Sequence, residues 1–273
     1  MQANDEEESQ TSVPIRYDGG DAAQHEIELN GLGESLQGMA RILAVSSNFL
    51  ATGEYTKQYQ AMAVRVMVRE PRANCFSIDA IVKFAQQQQL FSGLAGPALG
   101  ALLAWIFSRA SGKSEEMKML KDALDKVLAM QSSNQDRLHS TLEKMADSLR
   151  PAIKQAVAPV GRSCTQMTIA QKYVVDEATA EAIRSEGELE VATEQDWKLV
   201  ISELDRENKT AKVRLVSDDS KRVRAKITDP LADMTPNPYL TAFAQGSTIQ
   251  VRGKATLKNG EIELLYISDV RTS

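Results

Sequence analysis

LFSGLAGPALGALLAWIF, residues 90–107, runs for 18 residues without a charge in a 273-residue chain that is 25% Asp, Glu, Lys and Arg. A helix of this length rises about 27 Å, close to the hydrocarbon thickness of a bilayer, whereas a buried helix of a globular domain is usually shorter and keeps a polar face. The stretch therefore predicts a transmembrane helix over 90–107. Gly96 and Gly100 form a GxxxG pair, extended by Gly93, Ala101 and Ala104. Small residues at this spacing let helix backbones approach closely, which predicts packing against further copies of the same chain. Pro97 removes a helical hydrogen bond and predicts a kink at a gate. Trp105, with Arg109 and Lys113 beyond it, reads as an interfacial anchor with a basic flank. The competing reading is an apolar helix buried inside the protein's own core.

On the N-terminal side, residues 1–11 form a polar, acidic leader expected to be disordered. MQANDEEESQ lacks the basic and then apolar order of a signal peptide, so the N-terminal region is expected to fold in the cytoplasm. That leaves two topologies open: translocation of everything before the span, or insertion in some states only. VPIRYDG (13–19) and HEIEL (25–29) alternate apolar and polar residues around Gly19 and Gly20, predicting a hairpin. Leu32, Leu36, Met39, Ile42 and Leu43 then recur at helical spacing. Val64, Val66 and Val68, a PRAN turn, and Phe76, Ile78, Ala80 and Val82 predict a second hairpin. Residues 12–85 are thus expected to be a β-β-α-β-β domain.

On the C-terminal side, Met117, Leu120, Leu124, Val127, Gln131, Asn134, Leu138, Leu142, Met145 and Leu149 step by three and four, as in a heptad seam. A coiled-coil helix over 114–158 that continues the span would hold several spans in a ring; the alternative is an amphipathic helix packing inside its own chain. Pro151, Pro159 and Gly161 punctuate the end of this region, and a short helix is expected over EATAEAIRS (177–185). Residues 187–273 then read as three strands (WKLVISELD, TAKVRLVS, KRVRAKIT), a short helix (NPYLTAFAQG) and two strands joined by Asn259-Gly260. This β-β-β-α-β-β order is that of an OB-fold barrel, and Asn-Gly is a strong hairpin signal.

Period-two reading of these strands places Lys212 and Arg214, then Arg222, Arg224 and Lys226, then Arg252 and Lys254, on the outer surface. OB-folds bind single strands across strands two and three, where cations track phosphates and aromatic rings stack on bases. These seven cations are the candidate ligand-binding residues, and the expected ligand is a single-stranded oligonucleotide. A solvated barrel exterior is the plainer alternative, since residues 187–273 hold 13 Lys and Arg against 14 Asp and Glu and few aromatic candidates (Trp197, Tyr239, Phe243, Tyr266). The formal net charge of the whole chain, −5, likewise excludes bulk attraction to polyanions.

Catalytic chemistry finds no constellation. Ser111-Gly112-Lys113-Ser114 mimics the end of a phosphate-binding loop, but Phe107 stands where the first glycine belongs and no strand precedes it. Asp18, Asp21 and Glu26 lie on a turn without metal-ligand spacing. Two histidines, His25 and His139, and two separated cysteines, Cys75 and Cys164, argue against a zinc site and fit reduced thiols. Neither enzyme activity, cofactor nor metal is expected.

LFSGLAGPALGALLAWIF, the seam after it and RVRAKIT with its neighbours together give a layout that resembles the transmembrane effectors of Hailong-type bacterial anti-phage systems, which are encoded beside a nucleotidyltransferase. The resemblance implies an α+β multi-domain membrane protein of the inner membrane, assembled as a homo-oligomer, with a tetramer as the guess. It further implies an ion channel controlled by a single-stranded DNA oligonucleotide that the nucleotidyltransferase makes, and defence by membrane depolarisation. Gly93, Gly96, Pro97, Gly100 and Ala104 would then pack the pore helices. The alternative is a soluble or peripheral oligomeric nucleic-acid-binding adaptor with a buried apolar helix.

Overall fold

Val13, Ile15 and Tyr17 alternate with Ser12, Pro14 and Arg16, and this period of two makes Gln10–Asp18 a strand (β1) with one buried face. The computed structural model describes residues 10–69, 76–84, 95–112, 135–185 and 189–271. They divide into two compact units, residues 1–110 with 114–176 and residues 111–113 with 177–273.

In the first unit β1 is the centre of an antiparallel sheet. Its neighbours come from distant sequence: Phe76–Phe84 (β3) on one side and Gln166–Ile169 (β4) on the other. Val64–Arg69 (β2) pairs outside β3 and Tyr173–Asp176 (β5) outside β4, giving the order β2-β3-β1-β4-β5. The expected first hairpin does not form. HEIEL is not a strand, because the Glu28 side chain accepts the Asn30 and Gly31 amides at 3.2 and 2.8 Å and caps the helix Leu29–Thr52 (α1). Gly53 closes that helix at φ 72°, a left-handed conformation that glycine adopts without strain.

Helix α1 is buried on every side from Ile42 to Ala51. It packs against β2 and β3 and against two further helices, Ala95–Ala110 (α2) and Gln135–Ala156 (α3). Its approach to α3 is close: a Cβ on Gly38 would overlap the Ala152 carbonyl oxygen and lie 2.6 Å from the Ala156 amide nitrogen. Beside it, the Tyr17 hydroxyl and the Ser35 hydroxyl are 2.9 Å apart, and Ser35 also donates to the Ala156 carbonyl. Burial pushes the Tyr17 phenol up to about 12.

The expected membrane span is not found: among the described residues no helix is long and apolar enough to cross a membrane. Residues 90–94 of the apolar run, Gly93 included, lie outside the described residues; the rest is the 16-residue α2. Its apolar surface is covered by protein. Leu99, Leu102, Leu103, Trp105, Ile106 and Phe107 are all buried, and α2 packs on α1, α3, β1 and β4. Each such side chain gains roughly 1.5–3 kcal/mol from burial without any lipid. A Cβ on Gly96 would lie 3.8 Å from Thr11 and one on Gly100 3.8 Å from Ala170; Gly96 is exposed, whereas Gly100 and Ala104 are buried within the chain. Pro97 stands in the first turn of the described helix, where proline is well tolerated. Trp105 is no interfacial anchor: it is 4% exposed, with the Arg109 guanidinium 5.8 Å from its ring and Arg109 bound in turn to Asp147 of α3 at 3.3 Å.

The described part of the heptad seam is likewise intramolecular. Leu142, Met145 and Leu149 are buried in α3, which packs on α1 and α2, and the helix continues through Pro151. The seam from Met117 to Asn134 lies outside the described residues. With no membrane-crossing helix among the described residues, the transmembrane helix, the membrane pore and the ion channel lose the element on which they rested.

The second unit begins with Glu177–Arg184 (α4) and Glu190–Val191 (β6). Gln195–Asp205 (β7), Thr210–Leu215 (β8), Asp218–Ile227 (β9), Thr248–Lys258 (β10) and Glu261–Val270 (β11) form a barrel of order β11-β9-β8-β7-β10, closed by β10 on β11. All pairs are antiparallel except β9 with β11. Pro238–Gln245 (α5) lies between β9 and β10, which completes the OB-fold connectivity. Inward-facing Leu199, Ile201, Val213, Val223, Ala225, Val251, Leu265 and Ile267 form the core. Asn259 and Gly260 turn β10 into β11 with both φ values positive, 53° and 81°, as a tight hairpin turn requires.

Candidate nucleic-acid interface

Alternation along β8 and β9 decides which side chains the barrel presents. Ala211, Val213 and Leu215 point inward from β8, leaving Lys212 and Arg214 outward; Val223, Ala225 and Ile227 do the same for Arg222, Arg224 and Lys226. The register sets cation against cation, Lys212 opposite Arg224 and Arg214 opposite Arg222. Like charges directly opposite each other are unfavourable in a sheet. The four cations are therefore held together by the strand pairing itself.

The flanking strands supply the counter-charge. On β7, Glu203 reaches Lys212 at 2.8 Å and Arg222 at 3.5 Å. On β11, Glu263 pairs with Arg224. The row across four strands thus reads Glu203, Lys212, Arg224, Glu263, acid outside and base inside. The hydrogen bond from Lys212, with the charges of Lys212 and Arg222, outweighs residual desolvation and holds the Glu203 carboxyl below the usual range. Both arginines stay accessible, with Arg222 and Arg224 side chains 61% and 66% exposed.

The structure separates the other three predicted cations from this quartet. Lys226, opposite Thr210, is bound at 2.5 Å by Glu177 at the start of α4, whose side chain is only 11% exposed. Arg252 and Lys254 lie on β10, which β7 separates from β8 and β11 separates from β9, so they occupy another sector of the barrel. There Glu194 accepts Arg252 Nε and Ser268 Oγ, each at 2.9 Å. Burial pushes the Glu194 carboxyl up, but these two hydrogen bonds, with the charges of Lys254 and Arg252, hold it below its ordinary value.

Among the described residues no exposed ring accompanies the quartet. Trp197 is half-buried, with its Nε1 donating to the Gly253 carbonyl at 3.1 Å. Tyr266 and Tyr239 are buried, and Phe243, 37% exposed, belongs to α5. The Tyr239 hydroxyl donates to Asp229 at 2.5 Å, and burial together with that bond raises its pKa. The β7–β8 turn is fixed by Asp205, which accepts the Glu207 and Asn208 amides at 3.0 Å, and its Lys209 is bound to Asp233 at 2.6 Å. Among the described residues no cluster of three or more His, Cys, Asp or Glu could hold a metal.

Sequence reasoning missed Glu203 and Glu263. Strict alternation would send Glu203 inward with Leu199 and Ile201. A register shift between Ile201 and Glu203 turns it outward instead, as β-bulges do. Glu263 was legible as an outer residue, but its partner depended on β11 closing beside β9.

A family model described as a domain of unknown function (DUF7946) matches residues 13–184. That is more than half of the chain, and the chain belongs to this family. A second model, described as a family of unknown function (DUF7947), matches residues 193–271, the span of the barrel. No curated protein and no solved structure matches the chain.

Proposed function

We propose that the protein is a nucleic-acid-binding adaptor whose barrel takes a single-stranded oligonucleotide across β8 and β9. The observation that carries this reading is the placement of Lys212 against Arg224 and Arg214 against Arg222. A surface that served solvation alone is better built from opposite charges facing each other, and OB-fold barrels use this face for oligonucleotides. Two residues of strand advance about 6.7 Å, so Lys212 and Arg214 can address successive phosphates of an extended strand. Because the described face lacks an exposed ring, contact runs through phosphates and not through bases, and sequence preference is weak.

Fluorescence anisotropy of a labelled oligothymidylate of about 12 nucleotides, within the usual site size of an OB-fold, tests the reading. With up to four phosphates neutralised, the logarithm of affinity should fall with the logarithm of salt at a slope no steeper than about −2.8. Lys212→Glu with Arg224→Glu should weaken binding at least about tenfold and roughly halve that slope. Absence of binding at low salt, or binding indifferent to salt, would refute it.

A further inference from the structure

The quartet is not presented bare. Glu203 spans Lys212 and Arg222, and Glu263 holds Arg224, from the two strands that flank β8 and β9. Each carboxylate offers a cation what a phosphate would offer, two charged oxygens at hydrogen-bonding distance. A register shift in the β7–β8 pairing is what brings Glu203 to this position. Resting on the oligonucleotide reading above, we infer that Glu203 and Glu263 are internal phosphate mimics that occupy the binding face and set the affinity threshold for its ligand. An incoming strand must displace both carboxylates from the cations before its own phosphates engage. Short or sparsely charged anions fail to repay that displacement, whereas a strand contacting several cations at once succeeds. The carboxylates thereby select for polyanion length without contacting the ligand.

Displacement also leaves a thermodynamic signature. Neutralised phosphates release condensed cations from the oligonucleotide, whereas each carboxylate freed from its ion pair draws cations back, so the native face should show a shallower salt dependence than its cation number implies. Removal of the carboxylates restores the missing steepness. A merely structural role, neutralising the opposed cations so that the barrel folds, would lower stability without changing that slope.

The test uses the full chain and the oligothymidylate probe. Glu203→Gln with Glu263→Gln is isosteric and raises the formal net charge from −5 to −3. Glu34→Gln with Glu54→Gln, at exposed positions of the first unit, makes the same change elsewhere. The first pair should tighten binding about fivefold at low salt and steepen the slope by about 1.4, or 0.7 for each carboxylate removed; the control pair should alter neither by more than about 1.5-fold. Glu203→Gln alone should give about half the change in slope, which keeps the inference testable if the double variant folds poorly. Wild-type binding that the double variant leaves unchanged, or that the control pair raises equally, overturns the inference alone. Failure of the wild type and both Gln pairs to bind at any salt overturns the oligonucleotide reading with it.

Discussion

Asp229 is the residue whose removal should cost the barrel most. It is 3% exposed and stands where β9 ends. Its Oδ1 accepts the Leu231 amide at 2.8 Å; its Oδ2 accepts the Tyr239 hydroxyl at 2.5 Å and the Val270 amide at 3.0 Å. One carboxyl group thus ties the short helix Pro230–Asp233, helix α5 and the end of β11 together. Asp229→Ala strands three donors. At about 1–3 kcal/mol for each buried group left unsatisfied, and with water reaching some of them, the expected loss is roughly 3–6 kcal/mol, against a whole-domain stability of about 5–15 kcal/mol. Tyr239→Phe removes one donor and leaves Oδ2 still accepting Val270, for about 1–2 kcal/mol. Because the two share a hydrogen bond, the double variant should cost about 1–2 kcal/mol less than the sum. The assay is urea unfolding monitored by tryptophan fluorescence. The chain's two tryptophans divide between the units, so Trp105→Phe leaves Trp197 as sole reporter of the barrel. With a urea slope of about 1–2 kcal/mol/M for a domain this small, the Asp229→Ala midpoint should fall by at least about 1.5 M. A shift below about 0.3 M, or strict additivity with Tyr239→Phe, would refute the reasoning.

Three further outcomes are expected. Gly38→Ala should destabilise the first unit by about 1–3 kcal/mol, because the new methyl meets the α3 backbone; Gly33→Ala on the same helix has no neighbour within 4 Å and should stabilise by about 0.5–1 kcal/mol, both read from thermal melts in which Trp105 reports. Glu194 carries a lowered pKa, so its contribution is present above the ordinary carboxyl value of 4.5 and is lost as pH falls through the lower folded value; Glu194→Gln should therefore flatten the acid limb of the barrel's stability profile below about pH 4.5. Burial raises the phenols of Tyr17 and Tyr239, so the stability they confer is complete below their ordinary value near 10 and declines as pH rises. In an alkaline titration Tyr17 should ionise near 12, and Tyr239 above its ordinary value, together with unfolding.

The barrel was legible because its cues are local. Each strand alternates over enough residues to fix which side faces in, and Asn259-Gly260 pins a hairpin. The first unit was harder, since β1 pairs with strands that begin 66 and 156 residues after its own first residue, Gln10 to Phe76 and to Gln166. Nothing in VPIRYDG names those partners, and HEIEL is too short to distinguish alternation from a helix entry. The apolar run misled for a different reason. Leu, Ile, Phe and Gly at helical spacing record that the surroundings are apolar and close, not whether those surroundings are lipid, another copy, or the protein's own sheet. The cation quartet was placed correctly on β8 and β9 as outer residues, while its ion pairs were hidden because they arise from a register shift and from barrel closure.

The charge pattern of the barrel argues for a site more strongly than the number of its cations does. Composition alone makes this unit slightly acidic, which speaks against a polyanion ligand. Register reverses that inference locally: β8 and β9 set cations directly opposite one another, whereas the balancing carboxylates sit on the strands outside them. Lys226 shows what the same sequence does when a cation serves the fold, since a largely buried glutamate from α4 holds it in a single close pair. Arg222 and Arg224 are held at an open surface instead, by carboxylates that solvent reaches. A fold that needed only solubility would gain from exchanging Arg224 with Glu263 in place, since Lys212 would then face a carboxylate on both sides, Glu203 on β7 and the new one on β9. The arrangement present keeps like charges adjacent and their counter-charges exposed on the strands outside them, which is what the proposed reversible binding of a chain of phosphates requires.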